Sequence, residues 1–311
     1  MSKLKLVALV LVLYYLSRVV SRRRKYAAYI KNRPKVFLVT GGGSGIGKHM
    51  TTTLIAKGFR VVSCDLNFEA LETLYNSEWK AHQDRCVITK LDVRSEEDWK
   101  KAVELTVTSF GSLDVLLNIA GYLKAGPGFA VDSKLIDLHF DINTKGMILG
   151  SQVGAEQMMK QNSGHIINIS SLAGICYVPG LTLYCASKHA IRAYSRALGF
   201  DFIRQGKNVN VTVICPFAVK TPMLDRQKDD KEAALTFSSP NFLTVQDIEK
   251  AILENALPYK PQEIWLPFWN CLLGVIGQAL SDKLLTHLTL SAEKDGQKVQ
   301  NQVTQSHTSF Q

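Results

Sequence analysis

The chain has 311 residues, 46% of them hydrophobic, enough to bury a sizeable core and suited to one α/β domain. Its net charge of +10 is concentrated at one end, where residues 1–33 hold nine Lys or Arg and no acid, so the remaining body is close to neutral. That distribution excludes a nucleic-acid-binding domain, which needs its basic stripe on the folded body.

The first element is an apolar run from Leu6 to Leu16, continued by Val19 and Val20, with Lys3 and Lys5 before it and Arg22-Arg23-Arg24-Lys25 after it. Charge on both flanks speaks against a buried core helix and for a membrane anchor with a polybasic collar over residues 1–33. The run is short for a span of about 20 residues, so a tilted or snorkelling helix, an interfacial hairpin and the core of a cleaved signal all stay open. No Ala-x-Ala-like site follows it. The basic excess on the C-terminal side places the following domain in the cytosol.

From Lys35 onward, short β-branched runs alternate with amphipathic stretches: residues 36–39, 60–64, 86–89, 115–117, 165–169, 209–214 and 264–266. Seven strands separated by helices predict an α/β fold with a doubly wound parallel sheet, and near-continuous apolar runs fit strands covered on both faces. The turn after the first strand reads Thr40-Gly41-Gly42-Gly43-Ser44-Gly45-Ile46-Gly47. Glycines at 41, 45 and 47 let backbone amides approach a pyrophosphate at a helix N-terminus. The second strand ends in Asp65, whose carboxylate suits a ribose diol and repels a 2'-phosphate; with Ser44 rather than a basic residue before Gly45, NAD is expected over NADP. Arg60 and Lys48 are the cations that could favour NADP instead. Further along, Tyr184-Cys185-Ala186-Ser187-Lys188 follows Ser171 by thirteen residues. If residues 181–200 are helical, Tyr184 and Lys188 share a face at i and i+4, and the ammonium can lower the pKa of the phenol. The stretch 264–280, with Trp265, Phe268 and Trp269, reads either as a strand and helix on the core or as a membrane-contacting or lid segment. Residues 291–311 are polar and are expected to be disordered. The six cysteines show no C-x-x-C pair and no metal-ligand spacing, and read as reduced packing residues.

Taken together, these motifs resemble the short-chain dehydrogenase/reductase family over residues 35–270. Thr40 to Gly47 match its glycine-rich loop, Asp92 with Val93 the adenine-holding position, and Asn118, Ala120 and Gly121 its N-N-A-G element, in which Ile119 replaces the second Asn. Pro216, Val219 and Thr221 match the nicotinamide-carboxamide segment, with Phe217 where a glycine is usual. The resemblance implies a Rossmann-type catalytic domain over residues 34–290 and a catalytic tetrad of Asn143, Ser171, Tyr184 and Lys188, Asn143 ordering a proton-relay water. Tyr184 and Lys188 would also contact the cofactor. It further implies hydride exchange between NAD, or NADP, and an alcohol or ketone, and a homodimer built on the helices bearing Asn143 and Tyr184. With the anchor and the aromatic stretch, it points to the membrane-bound hydroxysteroid and retinol dehydrogenases of the family. The expected setting is then an endoplasmic reticulum or lipid-droplet surface with a steroid, retinoid or long-chain lipid substrate. The rival readings are an NADP-dependent ketone reductase and a cofactor-binding scaffold without turnover.

Overall fold

A computed structural model describes residue 17 and residues 19–238, 241–277, 280 and 282–308. Seven strands form one parallel sheet: β1 (Val36–Thr40), β2 (Arg60–Asp65), β3 (Cys86–Lys90), β4 (Val115–Asn118), β5 (Gly164–Ile169), β6 (Val209–Pro216) and β7 (Glu263–Leu266), in the order β3-β2-β1-β4-β5-β6-β7. Every strand anticipated from the apolar runs is present, extended by one or two residues at the ends. Continuous burial along β1 has a simple cause, since Phe37 and Val39 point to one helical layer and Leu38 to the other. The first layer packs Met50, Leu54 and Ile55 of the Gly45–Ala56 helix with Ile248 and Ile252. The second packs Trp99 and Ala102 of the Glu96–Phe110 helix with Met158 and Phe202, from the Gly146–Lys160 and Thr182–Arg204 helices. Strand order reverses between β1 and β4, which opens a crevice at the C-terminal strand ends, the usual ligand position in such sheets.

Residues 19–31 form a helix against the opposite, N-terminal edge of the sheet. The Arg22 guanidinium lies 4.4 Å from the Tyr259 ring centre and that of Arg33 4.2 Å from the Phe59 ring. The run Leu6 to Leu16 lies outside the described residues, and among the described residues no helix is long and apolar enough to cross a membrane.

Two C-terminal expectations are resolved differently. After β7, Phe268–Gly277 is a helix that buries Cys271 on the core, as the strand-and-helix reading of residues 264–280 expects, and leaves Phe268, Trp269, Leu273 and Ile276 exposed. Residues 291–308 are not disordered: they continue the helix Asp282–Thr308, which buries Gly296 and Gln300 against the 3-10 turn Lys231–Phe237. Ala292, Gly296 and Gln300 recur at i+4 on one face, so a segment polar in composition still has a packing side. Residues 309–311 lie outside the described residues.

Candidate active site

A cavity of about 700 Å³ fills the crevice, running from Asp65 and Asn67 past the glycine loop to Ser171, Tyr184 and Lys188. Its cofactor end is built by close backbone approach. Gly45 adopts φ of +52°, in the left-handed region open to glycine. At Gly47 a Cβ would stand 2.1 Å from the Gly41 carbonyl oxygen, so only glycine lets the helix start this near the strand. The Thr40 hydroxyl accepts from the amides of Ile119 and Ala120 at 3.0 and 3.1 Å, tying the turn after β4 to β1. Asp65 accepts from the Gly43 and Asn67 amides, each at 2.9 Å, which aims its carboxylate into the cavity. This cradle of glycines, amide donors and a fixed carboxylate fits an adenine dinucleotide.

Of the residues anticipated to hold cofactor, Thr40, Gly41, Ser44, Gly45, Ile46, Asp65, Asp92, Val93, Ala120, Gly121, Pro216, Val219 and Thr221 line the cavity. Gly47 and Asn118 do not. Gly47 acts through packing, and Asn118 is buried behind the wall, where its amide donates to Asn168 Oδ1 at 2.8 Å and Ser151 Oγ at 3.3 Å. Asp92 lines the cavity but is gripped by Arg94, whose Nη2 lies 2.6 Å from Oδ2, and this pairing holds its carboxyl below the usual range. Arg94 lines the cavity too, a contribution that the i, i+2 spacing of opposite charges signals only weakly. Neither cation weighed for NADP takes part: Lys48 pairs with Glu78 at 2.6 Å, and Arg60 begins β2 at the far edge.

At the reactive end, β5 delivers Ser171 and the Thr182–Arg204 helix delivers Tyr184 and Lys188. The Ser171 hydroxyl donates to the Pro216 carbonyl at 3.5 Å and accepts from the Ala173 amide at 3.1 Å, and its hydrogen-bonding influence on the Tyr184 phenol is to lower it. Lys188 is buried, with Nζ 5.5 Å from the Tyr184 ring centre and donating to the Ile169 carbonyl at 3.0 Å. The spacing thus places the ammonium beside the ring as expected, but burial of the phenol dominates. Desolvation pushes Tyr184 up to about 12, outweighing the Ser171 hydrogen bond, and desolvation pushes Lys188 down to about 8.

Asn143 sits in a π-helical turn, Phe140–Lys145, inserted between the helices Ser133–His139 and Gly146–Lys160. Such single turns recur at functional sites because they displace the local hydrogen-bond ladder. Its side chain does not face the cavity: Nδ2 donates to the Tyr122 carbonyl at 2.9 Å and Ser187 Oγ at 3.0 Å, and Oδ1 accepts from the Tyr122 amide at 2.7 Å. Both amide hydrogens are committed to the protein, so this side chain clamps the wall at Tyr122 rather than donating to a relay water. Beyond the motif residues, the cavity recruits Phe217, whose ring stacks at 9° and 6.4 Å on Phe242, together with Cys176, Tyr177, Leu224 and Leu235. These give its substrate end an apolar lining.

A family model described as short chain dehydrogenase matches residues 35–232. The chain is 32% identical over 201 residues to 2-(R)-hydroxypropyl-CoM dehydrogenase of Xanthobacter autotrophicus, covering 64% of this chain and 80% of that protein. It is 35% identical over 193 residues to a diacetyl reductase [(S)-acetoin forming] of Staphylococcus epidermidis, covering 62% and 74%. Among solved structures, a short chain dehydrogenase/reductase from Burkholderia phymatum in complex with NAD superposes with a TM-score of 0.71 at 24% identity, over 78% of this chain and 92% of that one. The closed form of a serine dehydrogenase complexed with NADP+ gives 0.66 at 27%, over 74% and 93%.

Proposed function

The chain belongs to the short-chain dehydrogenase family, and on that footing we propose that it exchanges a hydride between NAD(H) and a lipophilic secondary or allylic alcohol, with Tyr184 as general acid and base. The observation that carries this reading is the meeting of Ser171, Tyr184 and Lys188 at one end of a cavity whose other end is the glycine loop and Asp65. When bound, the nicotinamide supplies the hydride chemistry. Ser171 holds the substrate oxygen next to the phenol, Tyr184 moves the hydroxyl proton, and Lys188 binds the ribose and offsets charge on the phenolate.

NAD is the favoured cofactor, because the carboxylate of Asp65 is fixed by two amides at the ribose end and Lys48 and Arg60 are engaged or remote. Dissociation constants for NADH and NADPH should differ by about tenfold or more in favour of NADH, and Asp65→Ser should narrow the gap. Tighter binding of NADPH by the wild type would reverse the assignment. The substrate reading draws on the apolar lining and on the exposed Phe268, Trp269 and Leu273. Steroid, retinoid and long-chain alcohols are its candidates. A membrane or lipid-droplet setting, with the domain in the cytosol and paired as a homodimer, belongs to the same proposal; the basic run at residues 22–25 supports the membrane side of it.

Turnover of such a panel with NAD, by protein in detergent micelles, tests the proposal directly. Tyr184→Phe should lower turnover by about 10²-fold or more while leaving the NADH dissociation constant unchanged. NADH binding without Tyr184-dependent turnover of any alcohol would instead favour a scaffold.

A further inference from the structure

The substrate end of the cavity is walled by a segment that begins at the short helix Pro222–Asp225 and closes with the turn Lys231–Phe237. Leu224 and Leu235 line the cavity, and Phe237 packs edge-on against Phe242, which stacks on Phe217. This wall joins no strand of the sheet, so its backbone bonds are those of its own short turns. Inward it packs through Leu224, Ala233 and Phe237 on Ala125, Leu181 and Cys185, and outward it is covered by the C-terminal helix.

Gln300 is the point of attachment. Its side chain is 5% exposed, and Nε2 donates to two carbonyls of the wall, Asp230 at 2.8 Å and Gln227 at 3.1 Å. One turn earlier, Gly296 lies so near the wall that a Cβ would stand 2.0 Å from the Ala234 carbonyl oxygen. From Gln227 the linkage continues inward. The Gln227 side chain accepts from the Ala125 amide at 3.1 Å and donates to the Leu123 carbonyl at 3.3 Å. Leu123 lines the cavity directly after the Ala120-Gly121 turn. Two glutamines therefore join the C-terminal helix, the substrate wall and the β4 loop by buried hydrogen bonds, which are costly to leave unmade.

We propose that Gln300 is a positioning residue: acting through Gln227 and Asp230, it holds the substrate wall closed and so sets the affinity for the alcohol without touching the cofactor or the reacting atoms. The inference rests on the reading of the cavity as an alcohol site, but its structural half stands apart from turnover. Two variants act on the contact in different ways: Gln300→Leu removes both donations, and Gly296→Val forces the helix away from the wall.

The experiment pairs hydrogen–deuterium exchange of the cofactor-free full chain with steady-state kinetics on whichever alcohol of the panel the wild type oxidises. Both variants should raise amide exchange in residues 222–238 by about tenfold and raise the KM for the alcohol by a similar factor. Exchange in β1, β4 and β5, the NADH dissociation constant and kcat should stay near wild type. Wild-type exchange in residues 222–238 would overturn the proposal. So would a loss spread evenly over the sheet, cofactor affinity and kcat, because it would make Gln300 a general stability residue. Faster local exchange in a protein that oxidises no alcohol would sustain the brace while removing the function assigned to the cavity.

Discussion

Asn143 and Tyr184 show what residue spacing conveys and what it leaves out. Their family positions were legible because a glycine loop, Asn118-x-Ala120-Gly121 and Tyr184-x-x-x-Lys188 occur in order along the chain. Their hydrogen-bond partners were not, since these come from elements far away in sequence. Asn143 satisfies both backbone polar groups of Tyr122, 21 residues away. Asn143→Ala should therefore leave a part-buried amide and carbonyl unpaired and cost about 2–4 kcal/mol, measured as a lower urea midpoint, with turnover falling alongside. An unchanged midpoint would show that the Tyr122 clamp is dispensable. The high pKa of the Tyr184 phenol was equally invisible, because desolvation depends on the whole surrounding wall.

Among the elements, the strands were the most readable, since burial on both faces writes itself as uninterrupted apolar runs. The C-terminal helix was the least readable: average composition hides a one-sided face made of Ala292, Gly296 and Gln300. Edge strand β7 illustrates a third case, an element held by charge. Glu263 accepts from Arg192 Nε at 2.5 Å, Arg196 Nη1 at 2.9 Å and Trp265 Nε1 at 2.6 Å, so the strand is bound to the helix that carries Tyr184. Burial alone would raise this carboxyl, but the hydrogen bonds and charges of the arginines and Trp265 outweigh it and hold it low. A carboxyl with a lowered folded pKa contributes stability above its unfolded value, near 4.3, and loses it as pH falls through the folded value. Glu263→Gln should cost about 2–3 kcal/mol at pH 7, and its denaturation midpoint should converge with that of wild type only once the pH falls below the lowered folded value. A pH-independent difference would mean that packing, not charge, secures β7.

For the molecule as a whole, acid stability turns on a buried group away from the catalytic cluster. His165 in β5 is buried, its Nε2 2.8 Å from the Thr212 hydroxyl, whose hydrogen goes to the Pro261 carbonyl at 2.5 Å, so Nε2 is the protonated nitrogen. Nδ1 has no partner among the described residues, and desolvation, aided by the Lys260 charge, pushes the ring down to about 3. Between about pH 6.5 and 3 the unfolded chain takes up a proton that the folded one refuses, so stability falls as pH falls across that window. His165→Val should lose less stability than wild type between pH 7 and 4.5 in urea titrations at the two values. Equal losses would assign acid sensitivity to other groups.

The helix of residues 19–31 stands at the N-terminal edge of the sheet, with Arg22 and Lys25 on Tyr259, while the cavity opens at the C-terminal edge. The two are separated by at least the length of a five-residue strand, roughly 17 Å. Whatever engages this helix therefore works on the back of the enzyme, while whatever engages the exposed Phe268 and Trp269, just past the C-terminal end of β7, stands on the doorway's side.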